Sequence, residues 1–394
     1  MNKESKKVGI LTFHFPHNCG AALQAYALER VVAEYGECEI INYRPDYHAQ
    51  WYDYRYQCEY LPNILKSIWK SDRNKVKAFA RILYSTIFTK KSENFNNAKH
   101  RTKVYNSFEK KYLRCSPVCK NKDQVEALFQ KYNIVIVGSD QVWNPQVTGE
   151  NLDEVYFLPF ASKNEKRYSY AASAGGQLNE EYLDILAEKL KCFNGVSVRE
   201  GYLKNDLQIR KIDCRVDVDP TLLLNKEDYL PLEKSVKQVH GVKYVFIYAF
   251  HISDELIEVL KLLKARDNYS FFSIPMNGEL KIKAGFDITE VDIVGPSEFL
   301  YLIHNADFIV ASTFHGIIFP AIYEKQFVCL DAEGANARLI NFLKMFGLEN
   351  HKYSKEGSLV FNEEYTQFRE MRNSYAKGSK QYLMSIINRG NTDV

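Results

Sequence analysis

Short apolar runs alternate with stretches of helical periodicity along most of this chain, and that alternation constrains its fold more than any other feature. Strands are predicted at "KVGILTF" (7–13), "CEIINYR" (38–44), "NIVIVGS" (133–139), "RYSYAAS" (167–173), "GVSVRE" (195–200) and "CRVDVDP" (214–220). A second set is predicted at "KYVFIYAF" (243–250), "SFFSIP" (270–275), "DFIVAST" (307–313) and "QFVCLDA" (326–332). Helices are expected at about 20–35, 178–192, 253–266, 297–305, 316–324 and 336–346. Strands with no polar alternation must be covered on both faces, as in parallel sheets joined by crossover helices. The fold class is therefore α/β, with two Rossmann-like doubly wound units facing across a cleft.

Periodicity breaks near 230–242, where "PLEKSVKQVHG" brings a Pro, a Lys and Glu cluster and a Gly. Two units at 1–235 and 236–360 follow, and a chain of 394 residues exceeds what one core usually serves. The helix expected within 363–388 has no strand after it, and residues 361–394 are expected to pack back on the first unit.

Apolar residues at 46% and charged residues at 26% describe an ordinary globular chain. No apolar run is long enough to span a bilayer, and "MNKESKKVGI" lacks the apolar core of a secretory leader, so a cytoplasmic protein is expected. The eight Cys are scattered; only Cys115 and Cys119 are close, and a single pair lacks the second pair of a zinc site, so no metal is expected. A net charge of +3 gives no argument for nucleic acid.

That charge is uneven. From Lys66 to Lys111 thirteen Lys or Arg stand against Asp72, Glu93 and Glu109. Within the segment Ile68, Trp69, Val76, Phe79, Ile82 and Leu83 recur at helical spacing. A basic helical insertion at about 60–115 is expected. It is either a solvated layer on the core or, over 64–111, a peripheral contact with anionic lipid at the inner face of the plasma membrane.

In doubly wound sheets ligands bind beyond the carboxyl ends of the strands, so four loops are where chemistry is expected. After "ILTF", Asn18 and Gly20 either cap a helix or bring its first amides close to a ligand. There is no GxGxxG, and no dinucleotide cofactor is expected. After "IVGS", Asp140, Gln141, Trp143 and Asn144 offer the mixture of carboxylate, amides and aromatic face that holds a sugar, or else a capped turn over a core Trp. Arg199 ends "VSVR", suited to bidentate capture of a carboxylate or phosphate, or to an ion pair with Glu200. Asp219, before a Pro, reads as structural.

The fourth loop is "ASTFHGIIFP". Ser312, Thr313 and His315 follow a strand and Gly316 is expected to begin a helix, so His315 is either a core imidazole or a general acid or base beside an anion site. Arg338, in the first turn of the next helix, supplies a second anion contact.

Taken together, "HNCGAALQAYAL", "VGSDQVWNP", "YAASAG", "VSVREGYL", "DPTLLL", "ADFIVASTFHGIIF" and "NARLINFL", in that order from about Val8 to Leu348, resemble the polysaccharide pyruvyl transferase family. The family more often has Tyr where Cys19 stands and Asn-Ser where Ser312 and Thr313 stand. The resemblance implies a GT-B-like fold and transfer of a pyruvyl group from phosphoenolpyruvate, with no other cofactor, onto two hydroxyls of a sugar as a cyclic ketal. It implies roles for His315 and Arg199 on phosphoenolpyruvate, with Ser312, Thr313, Gly316 and Arg338 beside them. Asn18, Gly20, Asp140, Gln141, Trp143 and Asn144 would then serve the acceptor, a polysaccharide sugar or its lipid-linked oligosaccharide precursor, and Asp140 is the expected base. The rival readings are a glycosyltransferase using a nucleotide sugar and a non-catalytic sugar-binding protein of an assembly complex.

Overall fold

The structure is a computed structural model that describes residues 6–47, 91–149, 151–161, 166–276, 279–331, 336–355, 357, 359–362 and 364–389. The apolar positions from Ile68 to Leu83 lie outside the described residues, as does the basic segment up to residue 90.

The chain opens with β1 (Lys7–Leu11), α1 (Cys19–Val32) and β2 (Glu37–Ile40), followed by α2 (Lys91–Tyr112) and α3 (Lys122–Phe129). Next come β3 (Ile134–Val137), β4 (Lys166–Ser169), α4 (Glu180–Leu190), β5 (Ser197–Val198), α5 (Gly201–Ile209) and β6 (Arg215–Val216). These strands form a parallel sheet in the order β2-β1-β3-β4, and the parallel pair β5-β6 adjoins β4 through bridges at Tyr168 with Gly195 and Ala172 with Val198. All four residues of β3 are buried, as expected for a run without polar alternation.

A 3₁₀ turn at Pro220–Leu223 precedes the second set: β7 (Tyr244–Tyr248), α6 (Asp254–Arg266), β8 (Ser270–Ser273), β9 (Thr289–Glu290), α7 (Pro296–Asn305), β10 (Phe308–Ala311), α8 (Phe314–Ile322), β11 (Phe327–Cys329), α9 (Asn336–Met345) and α10 (Thr366–Arg389). The second sheet is parallel throughout, in the order β11-β10-β7-β8-β9. The predicted strands run two to four residues past the real ones. Thr12 and Phe13 have left β1 for the loop, where the Thr12 hydroxyl donates to Ser139 O and the Gln24 amide donates to Phe13 O.

One apolar layer joins the two sheets: Val8, Ile10, Leu23 and Leu28 share a core with Phe246, Phe299, Ile317 and Phe319. Separate cores fill the outer faces, one around Val135, Trp143 and Leu186, the other around Val245, Leu260 and Phe308. α10 lies against the first sheet and the segment that follows it: Arg372 donates to Leu222 O at 3.1 Å, the Ser379 hydroxyl to Asp217 Oδ1 at 2.8 Å, and the Tyr382 hydroxyl to Ser169 O at 3.2 Å.

α2 is the described part of the basic insertion, and it turns its apolar side inward. Tyr105 and Phe108 are buried, and the Tyr105 ring stacks on His17. Lys99, Lys103, Lys110 and Lys111 face out. The apolar side of this described helix thus faces the protein core while these lysines face outward. Among the described residues no helix is long and apolar enough to cross a membrane, and no group of three or more His, Cys, Asp or Glu is placed to hold a metal ion.

Candidate active site

Each sheet has a point where the strand order reverses, and that is where a crevice opens at the carboxyl ends of parallel strands. In the first sheet it lies between β1 and β3, in the second between β7 and β10. Residues following all four strands line one cleft of about 220 Å³: Asn18, Asp140 and Gln141 from the first sheet, and Phe250, His251 and Ser312–His315 from the second, with Tyr248 and Arg338. Two larger hollows, of about 340 and 400 Å³, lie away from these strand ends, one against α10 and one between α2 and α7.

Two helix N-termini meet the cleft. Asn18 caps α1, its side chain accepting from Ala21 N at 3.2 Å, and Thr313 caps α8, its hydroxyl accepting from Gly316 N at 3.0 Å. α8 therefore begins at Phe314, two residues before the expected Gly316. The aligned amides and dipoles of both helices favour a negative charge between them.

His315 stands at the centre. A Cβ on Gly20 would fall 2.0 Å from His315 Nδ1 and 2.3 Å from Cγ. Gly20 is thus the recess that the imidazole occupies, which corrects the expectation that its bareness admits a ligand to the backbone. On the other edge of the ring, the buried Nε2 lies 3.5 Å from Asp219 Oδ2, at ion-pair distance and without hydrogen-bond geometry. Asp219 is 1% exposed. Its Oδ1 accepts from Thr221 N at 3.0 Å and from the Thr221 hydroxyl at 2.7 Å, and its Oδ2 accepts from Arg199 Nη1 at 2.8 Å. Burial alone would raise its pKa, but His315, Arg199 and Thr221 outweigh burial and hold the carboxyl well below the usual range. Asp219 is a fixed carboxylate.

Arg199 lies beneath the cleft, not along it. Nη1 serves Asp219, Nε donates to Glu200 Oε1 at 3.1 Å, and the guanidinium sits 4.4 Å from the centre of the Phe314 ring, whose side chain separates it from the open cleft. The expected bidentate clamp is corrected: with Nε and Nη1 both engaged, neither two-nitrogen edge is free. Burial opposes its charge, yet Glu200 and Asp219 raise its pKa further. Glu200 in turn accepts from the Ser173 hydroxyl at 2.7 Å. The cation that does line the cleft is Arg338, on α9. Burial and the neighbouring Arg199 charge push its pKa down, and its Nε is buried without a partner, as is Arg199 Nη2. Arg199 and Arg338 both line a hollow of about 20 Å³ behind Phe314, room for one water with polar partners.

On the first-sheet side, Asp140 and Gln141 line the cleft. Asp140 has a left-handed φ of 66°, a conformation that Asp tolerates and that is common at functional turns. Its Oδ1 accepts from Gln141 N at 2.9 Å. Asn144 stands one layer back, donating to Gln141 Oε1 at 2.7 Å. Trp143 is wholly buried, stacked on Phe157 with centroids 6.1 Å apart, and this corrects its expected role as a sugar platform. The exposed aromatic surface at the cleft is Phe250, 57% exposed at the end of "KYVFIYAF". Sequence reasoning passed over it, although a large apolar residue just past a strand end was its signal. Asp219 likewise reads from the sequence as structural more than catalytic, and no local signal ties it to His315, 96 residues away in the chain.

Two parallel, doubly wound sheets whose switch points open on one cleft define a protein of the GT-B fold class. The structure is similar to UDP-GlcNAc 2-epimerase from Neisseria meningitidis bound to UDP-GlcNAc, with a TM-score of 0.50 and 11% identity over 97% of this chain and 94% of that one. UDP-N-acetylglucosamine 2-epimerase from Rickettsia bellii gives 0.48 and 10% identity over 99% of each chain, and an alpha-glucosyltransferase in complex with UDP and DNA gives 0.48 and 8% over 97% and 95%. No curated protein matches by sequence. The profile of the polysaccharide pyruvyl transferase family matches residues 18–333, and the chain belongs to that family, a family of transferases.

Proposed function

We propose that this protein moves the pyruvyl group of phosphoenolpyruvate onto two hydroxyls of one sugar, in a cell-surface polysaccharide or its lipid-linked precursor, making a cyclic ketal and releasing phosphate. The observation that carries the reading is the convergence of two helix N-termini, Arg338 and a carboxylate-paired His315 on one small cleft in a member of this family. Such a site suits a compact anion that must be protonated. Its volume of about 220 Å³ is below the roughly 300 Å³ at which pockets for drug-sized ligands begin, which favours phosphoenolpyruvate over a nucleotide sugar.

In the proposed reaction His315, as imidazolium, gives its proton to the methylene carbon while a sugar hydroxyl attacks the neighbouring carbon and passes its proton to Asp140. The C–O bond to phosphate then breaks, the second hydroxyl closes the ring, and its proton leaves on phosphate. Proton return from Asp140 to His315 resets the site. Arg338 and the amides of α8, with Ser312 and Thr313, hold the donor's negative charges; Asn18, Gln141 and Phe250 face the sugar, and Arg199 keeps Asp219 in place.

Phosphoenolpyruvate is expected to raise the melting temperature, by an amount equivalent to about 2.7 kcal/mol at 100 times its Kd, and UDP-GlcNAc to leave it unchanged. Stabilisation by UDP-GlcNAc alone would instead support a glycosyltransferase, and stabilisation by neither a binding protein. For a lipid-linked acceptor the protein works at the cytoplasmic face of the membrane, and residues 64–111 make the contact, the outward lysines of α2 among them. Vesicles containing anionic lipid should then retain the protein at low salt and release it as salt screens the charges. Absence of retention at low salt would leave these lysines as a solvated face.

A further inference from the structure

We infer that Asp219 is the positioning residue of His315: its carboxylate takes the hydrogen bond of Nε2 and thereby fixes the tautomer and the orientation of the ring. The inference rests on the placement of the reaction at His315, but not on the identity of the donor.

Three observations converge on it. Asp219 cannot turn away, because Thr221 holds Oδ1 through two hydrogen bonds and Arg199 holds Oδ2 through one. Nε2 is buried with no hydrogen-bond partner, and Asp219 Oδ2 is the acceptor at 3.5 Å. The ring is wedged on its opposite edge by Gly20, so the imidazole has one orientation between α1 and the turn at Pro220. A closure of roughly 0.5 Å would bring Nε2 to hydrogen-bond distance, the kind of tightening that catalytic contacts undergo on binding substrate.

The charges around the ring agree with this pairing. Asp219 lies 3.5 Å from Nε2, and Arg199, which pairs with Asp219, is also paired with Glu200. His251 lines the same cleft. From α1 the ring meets Gly20, which carries no charge. A carboxylate on Nε2 fixes the tautomer in the resting state and stabilises the cation once the ring has gained a second proton.

The test begins on the native protein. With ring-¹⁵N-labelled histidine, and the spectrum of His315→Gln to assign the signal, neutral His315 should carry its proton on Nε2. Asp219→Asn should shift the tautomer balance toward Nδ1 and lower kcat by roughly 100-fold or more, with the KM for phosphoenolpyruvate changed less than about threefold. A native protein with the proton on Nδ1 overturns the inference without any variant at position 219, even if Asp219→Asn does not fold. So does an Asp219→Asn variant that keeps kcat within about threefold, which would leave Asp219 as no more than the counter-ion of Arg199. If no pyruvyl transfer is found at all, the proposed reaction fails while the tautomer still decides the pairing.

Discussion

Gly20→Ala is expected to lower the proposed pyruvyl transfer by about 100-fold or more while leaving the protein folded. On helix propensity alone the exchange should help, since alanine is favoured over glycine in a helix interior by about 1 kcal/mol. The new methyl, however, would lie 2.0 Å from His315 Nδ1 and 2.8 Å from its Cβ, so the imidazole must move as a body. Displacing a reacting group by about 1 Å can cost about 100-fold in rate. Steady-state kinetics with a thermal melt on the same preparation checks both halves of the expectation. Unchanged activity would mean that the ring's seat on α1 is irrelevant to the chemistry.

His315→Ala is expected to lower kcat between about 100-fold and 10,000-fold, the range for loss of a general acid or base. Little stability should go with it, because the ring packs at the edge of the cleft and Nε2 makes no well-formed hydrogen bond to lose. Asp219 would keep Arg199 and Thr221 as partners. A variant within a few-fold of the native kcat would remove His315 from the mechanism.

Much of this architecture was legible because strands buried on both faces leave no polar alternation: "IVIV" and "FIVA" are apolar at every position and stand inside their sheets, paired on both sides. The loops that follow them were legible for the same reason, and with them His315, Asp140 and Gln141. What was not legible is what depends on pairing across the fold. Arg199 and Asp219 meet because β5 and β6 lie side by side, and a sequence does not state which strands neighbour each other. Trp143 carries the mixed polar surroundings of a sugar site, yet the turn after Asp140 points the indole into the core. Gly20 could be recognised as a close approach, but not what approaches it.

The last helix gives the site an anchor outside itself. Arg372 donates to the carbonyl oxygens of Leu222 and Leu224, and Ser379 holds Asp217, so α10 grips the stretch that carries Asp219 on both sides of that residue. The carboxylate proposed to position His315 is therefore tethered to a helix that does not line the cleft. Distance from the cleft is a poor guide to which residues this enzyme can spare: the rivets at 372 and 379 belong to the same mechanical part as the carboxylate they flank.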